Sequence, residues 1–318
     1  MLNALKFVQG AVAKKDFVPE MTHFEIKNGR ITAFNGQLAL SCPIPLDIDC
    51  KPKAEDMVKA ISKCQETVSI TMTETNRLRV QSGKFKAFVN CLDGDWLNIQ
   101  PEGVEVPING EDIIKAFHVL LPFIGIDASR SWGMGVLLDI SSAFATNNVC
   151  LVQYWLGTPF PKRVNIPSAA VKEMLRIKEA PMGMMLHDNS ITFVYSGDRW
   201  LRTQLLEDSC PDYVALLDAQ KSNPHSLNED VFEGLETIKP FVGKFGKIHF
   251  ANGIMSTESD LTTGATYAIS DQTLKGVYRH EMLALLKGVA KQIDLTTYPK
   301  PCAFFGDNLR GLIIGMKE

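Results

Sequence analysis

The sequence predicts an α+β protein made of three repeated domains, and three observations carry that expectation. A run of helix, strands, helix and strands recurs three times at a spacing of roughly 105 to 120 residues, the size of a domain. The second helix of every run holds a basic pair in the same register. The stretches 101–107 and 211–224 between runs are rich in Pro and polar residues, as boundaries are. The expected domains are therefore 1–105, 106–213 and 214–318, each with two helices against antiparallel strands.

The first helix of each run is read from a capping Asn. Asn3 precedes Leu5, Val8 and Val12, which fall with Leu2 near one face. Asn109 and Asn228 are followed by acids in the first turn, Glu111 with Asp112 and Glu229 with Asp230, where the helix dipole favours them. Strand-like text follows each: 22–26 with 30–40, 135–140 with 144–155, and 247–251 with 266–270. The second helices are expected at 53–64, 168–178 and 279–291. Each precedes a hairpin-like pair: 68–73 with 78–92, 184–195 with 200–206, and 302–305 with 309–316.

The middle hairpin is the clearest. Ile191, Phe193 and Tyr195 alternate with Thr192 and Val194, Ser196-Gly197-Asp198 supplies a turn, and Trp200 opens the returning strand. Ser209-Cys210-Pro211-Asp212-Tyr213 then reads as a strand stop and a Pro-led connector.

At 318 residues the chain exceeds one typical core. It is 45% hydrophobic and 22% charged, ordinary for a globular protein. No apolar run nears the roughly 18 residues that span a bilayer, and the N-terminal charge lies after the apolar part, unlike a signal peptide. The seven cysteines at 42, 50, 64, 91, 150, 210 and 302 form no CxxC, which suits free thiols in a reducing cytosol rather than disulfides or zinc. A cytoplasmic protein is expected. The net charge of −3 excludes a uniformly basic protein but leaves room for one basic face.

Catalytic and cofactor motifs are missing. There is no GxGxxG after a strand, no GxxxxGK[ST], no HExxH and no GxSxG. The six histidines are dispersed, and Asp47, Asp49 and Asp56 read better as solvated edge charges than as a carboxylate site. No enzyme, cofactor or metal site is expected.

The basic pairs are more informative. Lys59 and Lys63, Lys172 and Arg176, and Lys287 and Lys291 each stand at i and i+4, on one helix face, and Lys6 and Lys14 accompany the first helix. One such pair alone is ordinary surface solubility. Three in register suit sequence-independent contact with phosphates, which needs positive charge and no base-reading donors. Trp132, near Arg130, suits stacking on nucleic acid and equally a place in a core or interface.

Ala145-Thr146-Asn147-Asn148-Val149-Cys150-Leu151 resembles the ATDGHRL segment in the middle domain of the bacterial DNA polymerase III β subunit family, the sliding clamps. In that family a polar Pro-marked link, a helix and a strand pair ending FPDY follow in order; here these are Val164 to Pro167, residues 168–178, and the hairpin with Cys210-Pro211-Asp212-Tyr213. The closing Leu312 to Lys317 is similar to the family's last strand and its MPMR-type tail. Block order matches over essentially the whole chain while identity is sparse, so the resemblance is to a divergent member, phage-encoded ones included.

The resemblance implies a head-to-tail homodimer: six clamp-type domains in a ring around duplex DNA, helices inside and β-surface outside. The implied partners are double-stranded DNA, a replicative polymerase and a clamp loader. Carried over by position, the partner-peptide pocket would include Thr146, Leu151, Pro211, Leu216, Ile314 and Met316. Val149 and Cys150 stand there in place of a His-Arg pair, and Gly315 in place of a Pro. Lys15, Arg130 and Trp132 fall on DNA-side loops, with the helix residues Lys6, Lys14, Lys59, Lys63, Lys172, Arg176, Lys287 and Lys291. The seam would join Lys84, Lys86 and Val89, on an edge strand, to Phe241, Val242, Glu258 and Asp260. Alternating Lys on such an edge is also a guard against aggregation.

Two other classes compete. A β-rich virion-type assembly protein would form an oligomer without any DNA dependence. A hydrolase assembled across domains would lose turnover on single Asp or His substitution.

Overall fold

Backbone pairing between distant segments organises the chain. The structure is a computed structural model that describes residues 1–15, 18–65, 67–95, 98–206 and 209–317. It comprises two compact units, Met1–Ile114 with Ala169–Leu205, and Lys115–Ser168 with Leu206–Glu318.

In chain order the first unit holds α1 (Leu2–Val8), β1 (Glu25–Lys27), β2 (Arg30–Phe34), β3 (Leu38–Pro43), α2 (Ala54–Ser62), β4 (Ser69–Met72), β5 (Arg77–Ser82), β6 (Phe85–Asn90) and β7 (Val104–Val106). After α3 (Gly110–Leu120) come β8 (Gly135–Asp139), β9 (Ser142–Thr146), β10 (Cys150–Trp155) and β11 (Val164–Pro167) of the second unit. The chain returns to the first through α4 (Ser168–Ile177), β12 (Gly183–Leu186), β13 (Ser190–Tyr195) and β14 (Arg199–Gln204). The second unit is completed by α5 (Tyr213–Asp218), β15 (His225–Ser226), α6 (Glu229–Ile238), β16 (Lys247–Ala251), β17 (Ile254–Ser256), β18 (Thr266–Ala268), β19 (Gly276–Arg279), α7 (His280–Ala284), β20 (Gln292–Ile293), β21 (Cys302–Gly306) and β22 (Leu309–Ile313).

The first unit has a seven-stranded sheet, β1-β2-β3-β14-β13-β12-β7, and a three-stranded sheet, β4-β5-β6. The large sheet is continuous because β14 pairs antiparallel with β3, Trp200 opposite Ser41 and Thr203 opposite Leu38. The predicted hairpin forms in register, Ile191 opposite Thr203 and Tyr195 opposite Arg199. Its turn uses left-handed backbone at Gly197 and Asp198, residues that tolerate positive φ. Ile191, Phe193 and Tyr195 are buried, and the Phe7 ring of α1 meets Tyr195 edge-on at 6.1 Å.

Helix α2 follows its sequence closely. Glu55 and Asp56 sit in its first turn, Lys59 in its last, and Ala54, Met57, Ala60 and Ile61 bury one face. In α4, Ala170, Val171 and Met174 bury the corresponding stripe, and so does Glu173.

Two helical expectations change. The first helix stops at Val8 and a 3-10 turn, Gln9–Ala11, follows, so Lys14 and Lys15 lie in a loop, and Asn3 stands inside the helix rather than at its cap. Gly10 in that turn leaves room for Glu173, since a Cβ there would come within 1.8 Å of its carboxylate oxygen. The helix expected at 279–291 is only α7, five residues long. Turns follow, with Gly288 at φ +72, a conformation that ends a helix. Lys287 and Lys291 therefore do not share a helix face.

In the second unit an eight-stranded sheet runs β11-β8-β9-β10-β22-β21-β20-β15, and a four-stranded sheet runs β18-β17-β16-β19. Here β22 pairs with β10, Leu312 opposite Leu151 and Ile313 opposite Cys150. Strands β8 and β9 are buried along nearly their full length, which explains continuous apolar text in place of alternation. The stretch read as a plain connector holds α5: the Asp212 carboxylate accepts from the Ala215 amide at 2.9 Å and caps it. Among the described residues no helix is long and apolar enough to cross a membrane.

Candidate partner-binding cleft

The second unit carries an apolar cleft of about 200 Å³, framed by the β9–β10 turn, the β10–β22 pair and α5. Its turn is built by side-chain bonds. The Asn147 amide oxygen accepts from the backbone N–H groups of Val149 and Cys150, at 3.1 and 2.7 Å. Thr146 donates its hydroxyl to the Cys150 carbonyl at 2.8 Å, and Asn148 takes the left-handed conformation, φ +70, that Asn tolerates. The Ile314 amide donates to the Val149 carbonyl at 2.9 Å, extending the strand pair to the cleft edge.

Five of the six expected pocket residues line this cleft: Thr146, Leu151, Pro211, Leu216 and Ile314. Leu216 and Ile314 are 49% and 45% exposed, large apolar side chains left facing solvent. The sixth, Met316, is placed elsewhere: its amide donates to the Val277 carbonyl and its carbonyl accepts from the Tyr298 hydroxyl.

Trp132 joins the cleft wall with Tyr213, the two rings 6.3 Å apart. It packs, partly buried, against a core of Leu137, Phe144, Leu151, Tyr213, Leu217, Ala303 and Leu312. Burial, together with the neighbouring Cys210, pushes the Tyr213 hydroxyl well above the usual tyrosine range, so the wall stays neutral. Burial likewise pushes the Cys150 thiol up to about 12. Gly315 follows the cleft residue Ile314 because a Cβ there would stand 2.6 Å from the Tyr298 ring. Gln220 and Pro301 also line the cleft and carried no signal that marks them in sequence.

The basic residues fall into distinct environments. In the first unit Lys6, Lys14, Lys15, Lys59, Lys63 and Lys172 are exposed, and Lys59 is paired with Glu55 one helical turn away at 2.5 Å. Arg176 is committed. It binds both carboxylate oxygens of buried Glu173 and donates to the carbonyls of Lys6 and Phe7, where α1 ends. In the second unit Arg130 is exposed and donates to the Asn148 side chain at the cleft rim, while Lys291 pairs with Asp307 and Lys287 is exposed.

The residues expected at a seam lie on and just before β6 in the first unit, and in a 3-10 turn and a loop in the second. In the first unit β6 pairs only with β5 among the described strands; Lys86 is exposed on it, Lys84 sits at its start, and Val89 turns inward and is buried. In the second unit Phe241 ends the 3-10 turn Lys239–Phe241 and is 62% exposed, with Val242 next to it. Glu258 and Asp260 are exposed in the loop after β17. The Asp260 carboxylate accepts from the Thr262 amide and hydroxyl, which hold it below the usual carboxylate range. Among the described residues no group of three His, Cys, Asp or Glu could hold a metal ion.

No family model matches the chain. The beta sliding clamp of Rickettsia felis is 21% identical over 265 residues, 75% of this chain and 70% of that protein. The DNA polymerase sliding clamp of Bacillus subtilis superposes with a TM-score of 0.84 at 16% identity, covering 100% of this chain and 97% of that one. The DNA polymerase beta subunit of Streptococcus pyogenes gives 0.84 at 18% identity, and the Helicobacter pylori beta clamp, solved bound to a DNA ligase peptide, 0.80 at 13%, both with the same coverage. The chain thus has the sliding-clamp fold over its whole length.

Proposed function

We propose that this chain is a DNA sliding clamp of the polymerase III β type, a processivity factor that surrounds duplex DNA and tethers a replicative polymerase. The observation that carries the reading is the apolar cleft on this fold, lined by Thr146, Leu151, Pro211, Leu216 and Ile314. A small pocket with exposed aliphatic residues on a rigid sheet suits a short peptide with aliphatic and aromatic anchors. Polymerase and clamp loader both dock there by such motifs.

In this reading two copies close head to tail, and each chain contributes three domains, 1–105, 106–213 and 214–318. The open edge of β6, with Lys84 and Lys86, meets the partner surface around Phe241, Val242, Glu258 and Asp260, where opposite charges and exposed apolar groups complement one another. Lys6, Lys14, Lys15, Lys59, Lys63, Lys172, Lys287 and Lys291 face phosphates, with Arg130 on an adjoining loop. These interactions are weak and sequence-independent, so the ring slides while topology keeps it on the DNA. The protein is a cytoplasmic binding protein and not an enzyme. Its net charge of −3 is compatible with this, because only the inner face needs to be basic.

The deciding experiment loads the protein with its clamp loader onto nicked circular DNA and then linearises the DNA. Retention on the circle and release from the line is the expected result. Equal behaviour on both, or a native mass that corresponds to a monomer, overturns the reading.

A further inference from the structure

The apolar surface on the sheet of the second unit does not end at the cleft. Along β10, Leu151, Gln153 and Trp155 alternate onto one face, and on β22 Leu312 stands opposite Leu151 and Arg310 opposite Gln153. On β21, Ala303 stands opposite Leu312 and Phe305 opposite Arg310. The pairing runs on to the end of β10, where the Trp155 amide donates to the Asn308 carbonyl at 2.8 Å. Leu151 and Leu312 belong to the cleft. Further along the same strands, Gln153, Trp155, Phe305, Asn308, Leu309 and Arg310 line a second, open depression of about 380 Å³.

Trp155 is 58% exposed, and a Cβ on Gly157 would stand 3.5 Å from its ring, so the indole rests on the turn after β10 and leaves most of its surface to solvent. An exposed Trp on a rigid strand is the residue type that anchors partners. Phe305, partly buried, packs against the same core as Leu151, Leu312 and Tyr213 of the cleft. Arg310 forms a polar sill between the two depressions. Its Nε donates to the Gln153 side chain at 2.6 Å and its Nη1 to Asp218, the last residue of α5, at 2.7 Å. From Leu151 to Trp155 is about 13 Å along the strand, a span that four residues of extended chain cover and one turn of helix does not.

We propose that the depression at Trp155 is a further anchor site for the peptide that occupies the cleft. The partner's chain leaves the cleft extended, crosses Arg310 with polar residues, and lays an additional aromatic side chain against Trp155 and Phe305. Continuity selects this occupant: both depressions lie on one face of the same strand pair, and their separation suits a single extended segment. Arg310, already fixed by Gln153 and Asp218, meets the polar stretch without losing conformational freedom on binding. The proposal rests on the reading of the cleft as a peptide site and lengthens the motif that site would recognise.

The test uses the full chain and labelled synthetic peptides, followed by fluorescence anisotropy. The short probe carries one Leu and one Phe anchor for the cleft. Two longer probes add a polar spacer and a second Phe about four residues away, one at each end. One of the longer probes should bind at least about tenfold more tightly than the short one. W155A should remove that gain and leave the short probe unchanged, whereas L216D should weaken both. A benzoylphenylalanine in place of the distal Phe should cross-link the wild type within 153–155 or 305–310, a readout that needs no variant to fold. If the short probe binds and neither longer one gains, or if the cross-link falls elsewhere, this proposal alone is overturned. If no probe binds, the cleft reading fails and the extension with it. A native dimer that W155A dissociates assigns the depression to a second copy of the chain and also overturns the proposal.

Discussion

The Arg176 guanidinium donates to the Phe7 carbonyl at 2.8 Å while binding the Glu173 carboxylate. A cation thus caps the C-terminal end of α1, where unpaired carbonyls collect negative charge, and also neutralises a buried acid. R176A leaves Glu173, 7% exposed, without its partner. The expected cost is about 2 kcal/mol and a drop in Tm of roughly 5 °C, read by calorimetry, with partial recovery in R176K. An unchanged Tm refutes the capping role.

The cleft makes its own prediction. L216D puts a carboxylate among Leu151, Pro211 and Ile314, and should weaken a short peptide with aliphatic and aromatic anchors by about 30-fold or more, the scale of a hot-spot loss. Fluorescence anisotropy measures it, and because Leu216 is half exposed the fold itself should be unaffected.

Charge reversal at Lys59, Lys63 and Lys172 separates phosphate binding from structure, since none is buried and Arg176 is left in place. Every phosphate interaction removed should lower the slope of log K against log salt by about 0.9, so about 2 to 3 for the triple variant if all three face phosphates. A slope that stays within about 0.5 of wild type, less than one phosphate's share, removes these residues from the DNA face.

Glu179 gives a pH dependence. Its partial burial opposes ionisation, but the hydrogen bonds from Arg199 and Ser196 prevail and hold the carboxyl below its ordinary value. A carboxyl depressed in the folded state stabilises fully above its unfolded value and loses that contribution as pH falls through the folded value. Stability below about pH 4.5 should therefore fall less steeply in E179Q than in wild type, as followed by denaturant titration across roughly pH 3 to 6.

Gly315 tests the cleft's supporting layer. In G315A the new Cβ meets Tyr298 at 2.6 Å, and one side must move. A loss of about 1 to 3 kcal/mol is expected, with part of it recovered when Tyr298→Ala opens the space.

Local patterns were legible where one segment decides the outcome. The alternation of Ile191, Phe193 and Tyr195 announced β13, and the segment carrying the pair Lys59 and Lys63 was expected as the helix where α2 forms. The cleft residues were legible through the segment around Thr146 and Leu151 and through Leu312 to Ile314. Long-range interactions were hidden. Glu173 stands over Gly10, and the commitment of Arg176 depends on carbonyls about 170 positions away. Helix α7 ends at Ala284 and only turns follow, with Gly288 at positive φ, which the basic pair at Lys287 and Lys291 does not reveal. The place of Trp132 needed the core around Tyr213 before it could be known.

The pairing of β10 with β22 joins Leu151 to Leu312 across about half of the sequence. One wall of the cleft therefore exists only after β22 has been synthesised and has found β10, a pairing of high sequence separation that forms slowly. A partially made or misfolded chain offers no complete cleft. In the proposed function, peptide binding is thereby reserved for chains in which β22 has reached β10.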